Sequence, residues 1–153
     1  MNLLHVHLTA ETTTGATPER VWEYFSDPHA IAEYDRSVAS VEITSPPPYG
    51  VGSTFDTISP PRRGGRTIRT SYRVTEVIEP ERAVSELVGS SVFCRAAWEM
   101  CVEPIGEGTR VTIGVDFVAK PQFFFLAPLL RIAQRNLLAT DMDVLREALE
   151  RLR

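Results

Sequence analysis

Residues 127–153 read APLLRIAQRNLLATDMDVLREALERLR. Projected at about 100° per residue, Leu130, Ala133, Leu137, Leu138, Val144, Leu145, Ala148, Leu149 and Leu152 fall on one side. Arg135, Asn136, Asp143, Arg146, Glu147 and Glu150 fall on the other, so the segment predicts a long amphipathic helix from Pro121 or Pro128 to Arg153. Such a helix has to bury its apolar stripe against another layer. Everything before it offers mainly one kind of layer, because apolar and polar residues there alternate with the period of two of a sheet.

Working outward from the helix, Val111, Ile113, Val115 and Phe117 alternate with polar residues after a Gly106-Glu107-Gly108 hairpin turn. Before the turn, Val92, Cys94, Ala96, Trp98, Met100 and Val102 form an inward set. Residues 82–88 and 66–78 read as two more strands, the latter with Ile68, Thr70, Tyr72 and Val74 facing the core and Thr67, Arg69, Ser71 and Arg73 facing away. A breaker-rich loop at 60–65, a strand at 52–59, a proline turn at 46–50 and a strand through Ala39, Val41 and Ile43 precede them. At the other end, Leu4, Val6, Leu8 and Ala10 alternate with His5, His7 and Thr9. Between these outer segments, Thr17 caps a short helix with Pro18 at its first position and Val21, Trp22 and Phe25 inward. Ser26-Asp27-Pro28 ends it and opens a second short helix, from His29 to about Asp35, presenting Ile31 and Tyr34. The expected fold is α+β: a curved, seven-stranded antiparallel sheet around a long C-terminal helix, with two short helices after the first strand. A sheet curled around one helix leaves a gap between them, and that gap is the expected site.

At 153 residues the chain has room for a single domain, 1–153, too short for a two-domain dehydrogenase or an eight-fold barrel. Hydrophobic residues at 43% support a packed core, and a net charge of -4 argues against nucleic acid. Lys120 is the only lysine beside fifteen arginines, which reads as the codon usage of a high-GC genome. The longest apolar run, 123–130, has eight residues and contains Pro128, whereas crossing a bilayer takes roughly 18–20. No secretory signal is visible in the first ten residues, so a cytoplasmic location is expected. Cys94 and Cys101 sit seven apart in one strand, where alternation sends them to opposite faces, as reduced, buried or half-buried thiols.

Several stretches, taken in order, resemble the START-like, helix-grip superfamily in its bacterial polyketide cyclase/dehydrase and lipid-transport branch. They are Ala16-Thr17-Pro18-Glu19-Arg20-Val21-Trp22, Glu33-Tyr34-Asp35-Arg36-Ser37-Val38, Pro48-Tyr49-Gly50-Val51-Gly52-Ser53, Tyr72-Arg73-Val74-Thr75-Glu76-Val77, Gly108-Thr109-Arg110-Val111-Thr112 and Leu145-Arg146-Glu147-Ala148-Leu149-Glu150. The resemblance implies the helix-grip fold and a deep hydrophobic cavity in which members bind lipids, hormones, polyketides or other aromatic compounds. Some members catalyse cyclisation and dehydration there. Tyr34 stands where the family often has tryptophan, adding a hydrogen-bond donor to an apolar wall. Aromatase members place arginine and tyrosines in the cavity. Arg66 or Arg69 would fill that role only if a bulge reversed the strand phase, since alternation turns Arg69 outward.

Asp141 is the most informative position, near the centre of the helix's apolar face with Gln134 on nearly the same bearing. A carboxylate desolvated there has a raised pKa, as a general acid or base requires; the structural alternative is pairing with an arginine or a backbone amide. Tyr34 and Tyr72 join Asp141 as candidate catalytic groups, with Thr70 beside Tyr72. Trp98, Met100, Cys94, Ile113, Val115 and Phe117 read as sheet-side lining, Leu137 and Leu138 as helix-side lining, and Arg69 is carried as a candidate ligand contact. Phe123-Phe124-Phe125 suits core packing with one exposed ring at the mouth or at a dimer contact. His5 and His7 share a strand face without a third ligand, and no G-x-S-x-G elbow or dinucleotide fingerprint occurs, so neither metal nor cofactor is expected. Arg62, Arg63 and Arg66 mark a basic hairpin tip able to lie over the cavity mouth. The leading reading is a monomer or homodimer that binds a hydrophobic small molecule, lipid, aromatic or polyketide-like. The alternatives are a polyketide cyclase/aromatase or dehydratase working in the same cavity, and a protein-interaction module without a ligand.

Overall fold

The computed structural model describes residues 5–90 and 93–153, so Leu4 and Val92 of the inward sets lie outside the described residues. The alternating segments become β1 (His5–Thr14), β2 (Ser40–Ile43), β3 (Thr54–Ile58), β4 (Arg69–Ile78), β5 (Arg82–Leu87), β6 (Phe93–Ile105) and β7 (Gly108–Ala119). They form one antiparallel sheet in the order β1-β7-β6-β5-β4-β3-β2: a meander from β2 to β7, with β1 paired to the last strand. Two short helices, α1 (Pro18–Ser26) and α2 (Ile31–Tyr34), lie between β1 and β2, and α3 (Ala127–Glu150) follows a 3-10 segment at Pro121–Leu126. This is the helix-grip arrangement, a curved seven-stranded sheet around a long C-terminal helix.

Local chemistry fixes the joints. Thr17 Oγ1 accepts the Arg20 N–H at 3.4 Å and caps α1, while Asp27 Oδ1 accepts the His29 N–H at 3.0 Å and starts the 3-10 turn Pro28–Ala30 that leads into α2. The Tyr24 hydroxyl donates to Glu33 at 2.7 Å and ties the two short helices together. In the β6–β7 hairpin Gly106 takes a φ of 50°, and at Gly108 a Cβ would collide with the Thr14 carbonyl. One residue on, the fully buried Thr109 donates its hydroxyl to the Ala16 carbonyl at 2.7 Å, pinning the entry to α1 onto the start of β7.

The apolar inventory divides into two clusters. The larger joins Val6, Val21, Trp22, Val111, Ile113, Val115 and Phe117 to Leu138, Met142, Leu145 and Leu149 of α3, whose last two leucines are completely buried. The smaller holds Val38, Val41, Phe55 and Val74, with Ile31 and Tyr72 against it. A buried leucine contributes about 1.5–3 kcal/mol, so the C-terminal half of α3 is the firmly gripped part.

Three expectations change. β4 and β6 each carry a bulge, at Val74/Glu76 and Phe93/Arg95. The extra residue in β6 is Cys94, which turns outward while Phe93 packs inward on Phe117, their ring centroids 5.1 Å apart. Cys94 is exposed and Cys101 half-buried beside Glu99, with its thiol 3.0 Å from a Glu99 oxygen. A separation of about 20 Å along the strand, rather than opposed faces, keeps them from pairing. In the first half of α3, Ala133 is exposed although it falls on the apolar arc, while Ala127 is buried and Leu130 packs against the larger cluster. Phe124 and Phe125, edge to face at 6.1 Å, are exposed too, so two rings of the Phe123-Phe124-Phe125 run face out instead of one. Among the described residues no helix is long and apolar enough to cross a membrane.

Candidate functional site

Between the two clusters the space is not filled. A cavity of about 470 Å³ is bounded by Gln134, Leu137, Leu138, Asp141 and Met142 of α3, by Trp22, Phe25, Ile31 and Tyr34 around the short helices, and by the concave face of the sheet. The sheet supplies Phe55 and Thr57 from β3, Thr70, Tyr72 and Val74 from β4, Ala83 and Ser85 from β5, Trp98 and Met100 from β6 and Ile113 from β7. Every other residue along each strand points inward, and the bulge at Thr75 reverses the phase so that Val77 also reaches the cavity. Volume and lining suit a small organic molecule.

Asp141 sits at the end of the cavity where α3 meets α2, and only 3% of it is exposed. Its Oδ1 accepts the Arg36 backbone N–H at 3.3 Å, the single hydrogen bond of its side chain among the described residues. Burial, and next to it the negative charge of Asp35, pushes the Asp141 carboxyl up to about 6, against a partial offset from the Arg36 amide and guanidinium. Asp35 is itself buried, with Oδ1 accepting the Ser37 N–H at 2.9 Å and the Ser37 hydroxyl at 2.6 Å. The Tyr34 phenol next in sequence is held well above its ordinary pKa, first by burial and then by the charges of Asp35 and Asp141, so it remains a proton-bearing donor throughout the neutral range. The structural alternative for Asp141, a backbone amide partner, and the desolvated carboxyl facing a cavity are present together.

Aromatic rings make much of the wall. Tyr34 meets Phe25 edge to face at 5.8 Å, and Tyr72 stacks on Phe55 at 5.4 Å. Burial raises the Tyr72 phenol, with a partial offset from the neighbouring Trp98 indole. Both tryptophans of the chain, Trp22 and Trp98, line the cavity. The loops flanking β3 add Tyr49, Arg62 and Ile68 to the lining.

Of the residues singled out by sequence, Asp141, Tyr34, Tyr72, Gln134, Thr70, Trp98, Met100, Ile113, Leu137 and Leu138 share this cavity. Val115 and Phe117 do not border it. They face inward on β7 as expected, but further along the strand, where the larger cluster is packed solid around Val6 and Phe93. Arg69 is off the cavity as well. Its strand keeps the outward phase there, and its guanidinium bridges Asp56 Oδ2 at 2.8 Å and Glu42 Oε2 at 3.0 Å across the outer face of β2, β3 and β4. That pairing holds the Asp56 carboxyl below its usual range. The basic loop reaches the cavity through Arg62 instead. Asp35, Val38, Tyr49, Phe55 and Met142 also line it and were not singled out. Phe55 and Met142 carried a signal in their strand and helix periodicities, whereas Asp35 and Tyr49 lie in connections without any period. No cluster of histidine, cysteine and carboxylate side chains suited to a metal occurs among the described residues.

Residues 5–150 match the family described as polyketide cyclase / dehydrase and lipid transport, and the chain belongs to that family. No curated protein matches it in sequence. Among solved structures, a START superfamily protein from Mycobacterium smegmatis superposes with a TM-score of 0.76 at 16% identity, over 96% of this chain and 99% of that one. The protein TTHA0849 from Thermus thermophilus gives 0.73 at 22% identity, over 93% and 95%. The di-domain ARO/CYC StfQ from the steffimycin biosynthetic pathway gives 0.78 at 12% identity, over 97% of this chain and 52% of the larger protein. At such identities the likeness is one of fold.

Proposed function

We propose that this member of the polyketide cyclase/dehydrase and lipid-transport family binds a hydrophobic small molecule, aromatic or polyketide-like, in the cavity between its sheet and α3. The observation that carries the reading is an unfilled volume of about 470 Å³ lined by aromatic and aliphatic side chains at the place where a filled core would continue the stripe of α3. Protein interiors are close-packed, so an unfilled space of that size is costly to maintain and suits an occupant. Tyr34, Tyr72, Thr70 and Gln134 are among the polar groups set into this apolar lining, where they can orient a ligand.

Two measurements test this. Native mass spectrometry of the purified protein should reveal a copurified ligand or accept an added one, and N-phenylnaphthylamine, whose emission rises in apolar surroundings, should saturate one site. Met100→Trp, which projects a larger ring into the cavity, should abolish dye binding while far-ultraviolet circular dichroism is unchanged. Absence of saturable binding in the parent protein would overturn the reading.

A second reading, a cyclase/aromatase or dehydratase, is favoured by one observation: the Asp141 carboxyl at about 6 stands beside a phenol that keeps its proton. A group titrating near neutrality both gives and takes a proton at useful rates, and the apolar walls would fold a flexible substrate against it. The solved di-domain ARO/CYC protein shares this fold. Asp141→Asn should then lose turnover while ligand binding survives; unchanged turnover would remove Asp141 from the chemistry.

A further inference from the structure

We propose that the ligand of this cavity presents a cationic amine to the free oxygen of Asp141, and that hydrophobic carboxylates such as fatty acids are rejected. This rests on the cavity reading and goes further by giving the ligand a charge. Asp141 is almost wholly buried and borders the cavity, yet only Oδ1 is hydrogen-bonded, to the Arg36 amide; Oδ2 has no hydrogen-bond partner among the described residues. Asp35, next to it in space, likewise uses only Oδ1, on Ser37. Among the described residues neither carboxylate forms an ion pair, and the one basic side chain that they bring to the lining, Arg62, belongs to the loop between β3 and β4. The Arg36 guanidinium lowers the Asp141 pKa only in part and makes no ion pair with it, and a buried carboxylate left without a direct ionic partner is an unfavourable arrangement that a ligand cation would relieve.

A second feature points the same way. The rings of Trp22, Tyr34, Phe55, Tyr72 and Trp98 surround the cavity, and aromatic faces attract cations through their quadrupoles. An aromatic wall closed by an unpaired carboxylate is the chemistry of amine recognition. The other head groups fit less well. A ligand carboxylate would meet two like charges, and a carbonyl oxygen would face Asp141 as acceptor against acceptor unless that residue took up a proton. An alcohol donates a hydrogen bond but brings no charge.

Three probes with one naphthyl ring separate these cases: naphthylmethylamine, naphthalenemethanol and naphthoate, titrated by calorimetry at about pH 7.5, where the amine and the acid are both ionised. The amine should bind about tenfold tighter than the alcohol, because the ammonium adds a full counter-charge to a hydrogen bond with the carboxylate that the alcohol also makes, and the naphthoate weakest of all. Asp141→Asn should erase the advantage of the amine while weakening the alcohol far less, since the amide oxygen still accepts its hydrogen bond, and Asp35→Asn should reduce that advantage in part. If the alcohol binds but the amine binds no better, or if the preference persists in both variants, the amine assignment is wrong while the cavity reading stands. If none of the three saturates a site, the cavity reading fails and the assignment with it.

Discussion

The backbone N–H of Arg36 donates to Asp141 Oδ1 at 3.3 Å, joining the end of α2 to the middle of α3 through one neutral donor. A single amide offsets little of the cost of burying a charge, which is why the Asp141 carboxyl is pushed up to about 6 instead of down as in an ion pair.

The folded protein therefore holds the Asp141 proton more tightly than the unfolded chain does. Stability contributed by this group is present below the ordinary carboxyl value of 3.8 and is lost as the pH climbs through about 6. Asp141→Asn retains the acceptor for Arg36 and removes the charge, so it should raise stability above pH 6 by about 1–3 kcal/mol and flatten the profile between pH 4 and 6. Urea unfolding across that range measures both; a variant less stable than the parent at neutral pH would contradict the account.

Leu145 and Leu137 lie two turns apart on α3 but differ in surroundings. Leu145 is completely buried in the larger cluster, and its replacement by alanine should cost about 2–5 kcal/mol. Leu137 borders the cavity and is only half-buried, so Leu137→Ala should cost clearly less and instead widen the range of dyes the protein accepts. Equal losses in thermal unfolding would mean that the cavity is filled by side chains in solution.

Because Trp22 and Trp98 both line the cavity, intrinsic fluorescence should respond to occupancy without any label. Binding of an aliphatic amine is expected to shift tryptophan emission, and in Trp98→Phe the remaining response should come from Trp22 alone. Emission unchanged at saturation would place the bound molecule elsewhere.

Arg69→Ala should leave dye and ligand affinity at the parent value, because the guanidinium is engaged with Asp56 and Glu42 on the outer face. Its cost should appear in unfolding experiments, where Asp56 loses the partner that lowers its pKa and titrates nearer the ordinary value. Weakened binding would require the strand to turn Arg69 inward.

Periodicity makes most of this architecture legible in the sequence. The stripe of α3 identifies the helix, the polar break at Asp141 and Gln134 identifies the face turned to the cavity, and alternation in β4, β6 and β7 names Thr70, Tyr72, Trp98, Met100 and Ile113. What stays hidden has physical causes. A bulge adds one residue without any compositional signature, so Cys94 and Phe93 exchange faces unannounced. Ile113 and Phe117 share one strand face and differ only in whether the space beneath is empty or packed, which depends on residues far away in sequence such as Val6. Ala133 falls on the apolar arc of α3 yet is exposed, an outcome set by what packs beside it in the fold and recorded in no local pattern.

The bulge in β6 also sorts the two thiols by reactivity. Burial, then the hydrogen bond to Glu99, pushes Cys101 up to about 11, leaving little thiolate at neutral pH, whereas Cys94 stands exposed on the side of the sheet away from the cavity. A maleimide reagent should therefore modify one position and spare the other. Cys94 thus offers a natural anchoring point for tethering the protein to a surface or a dye with the cavity left unobstructed.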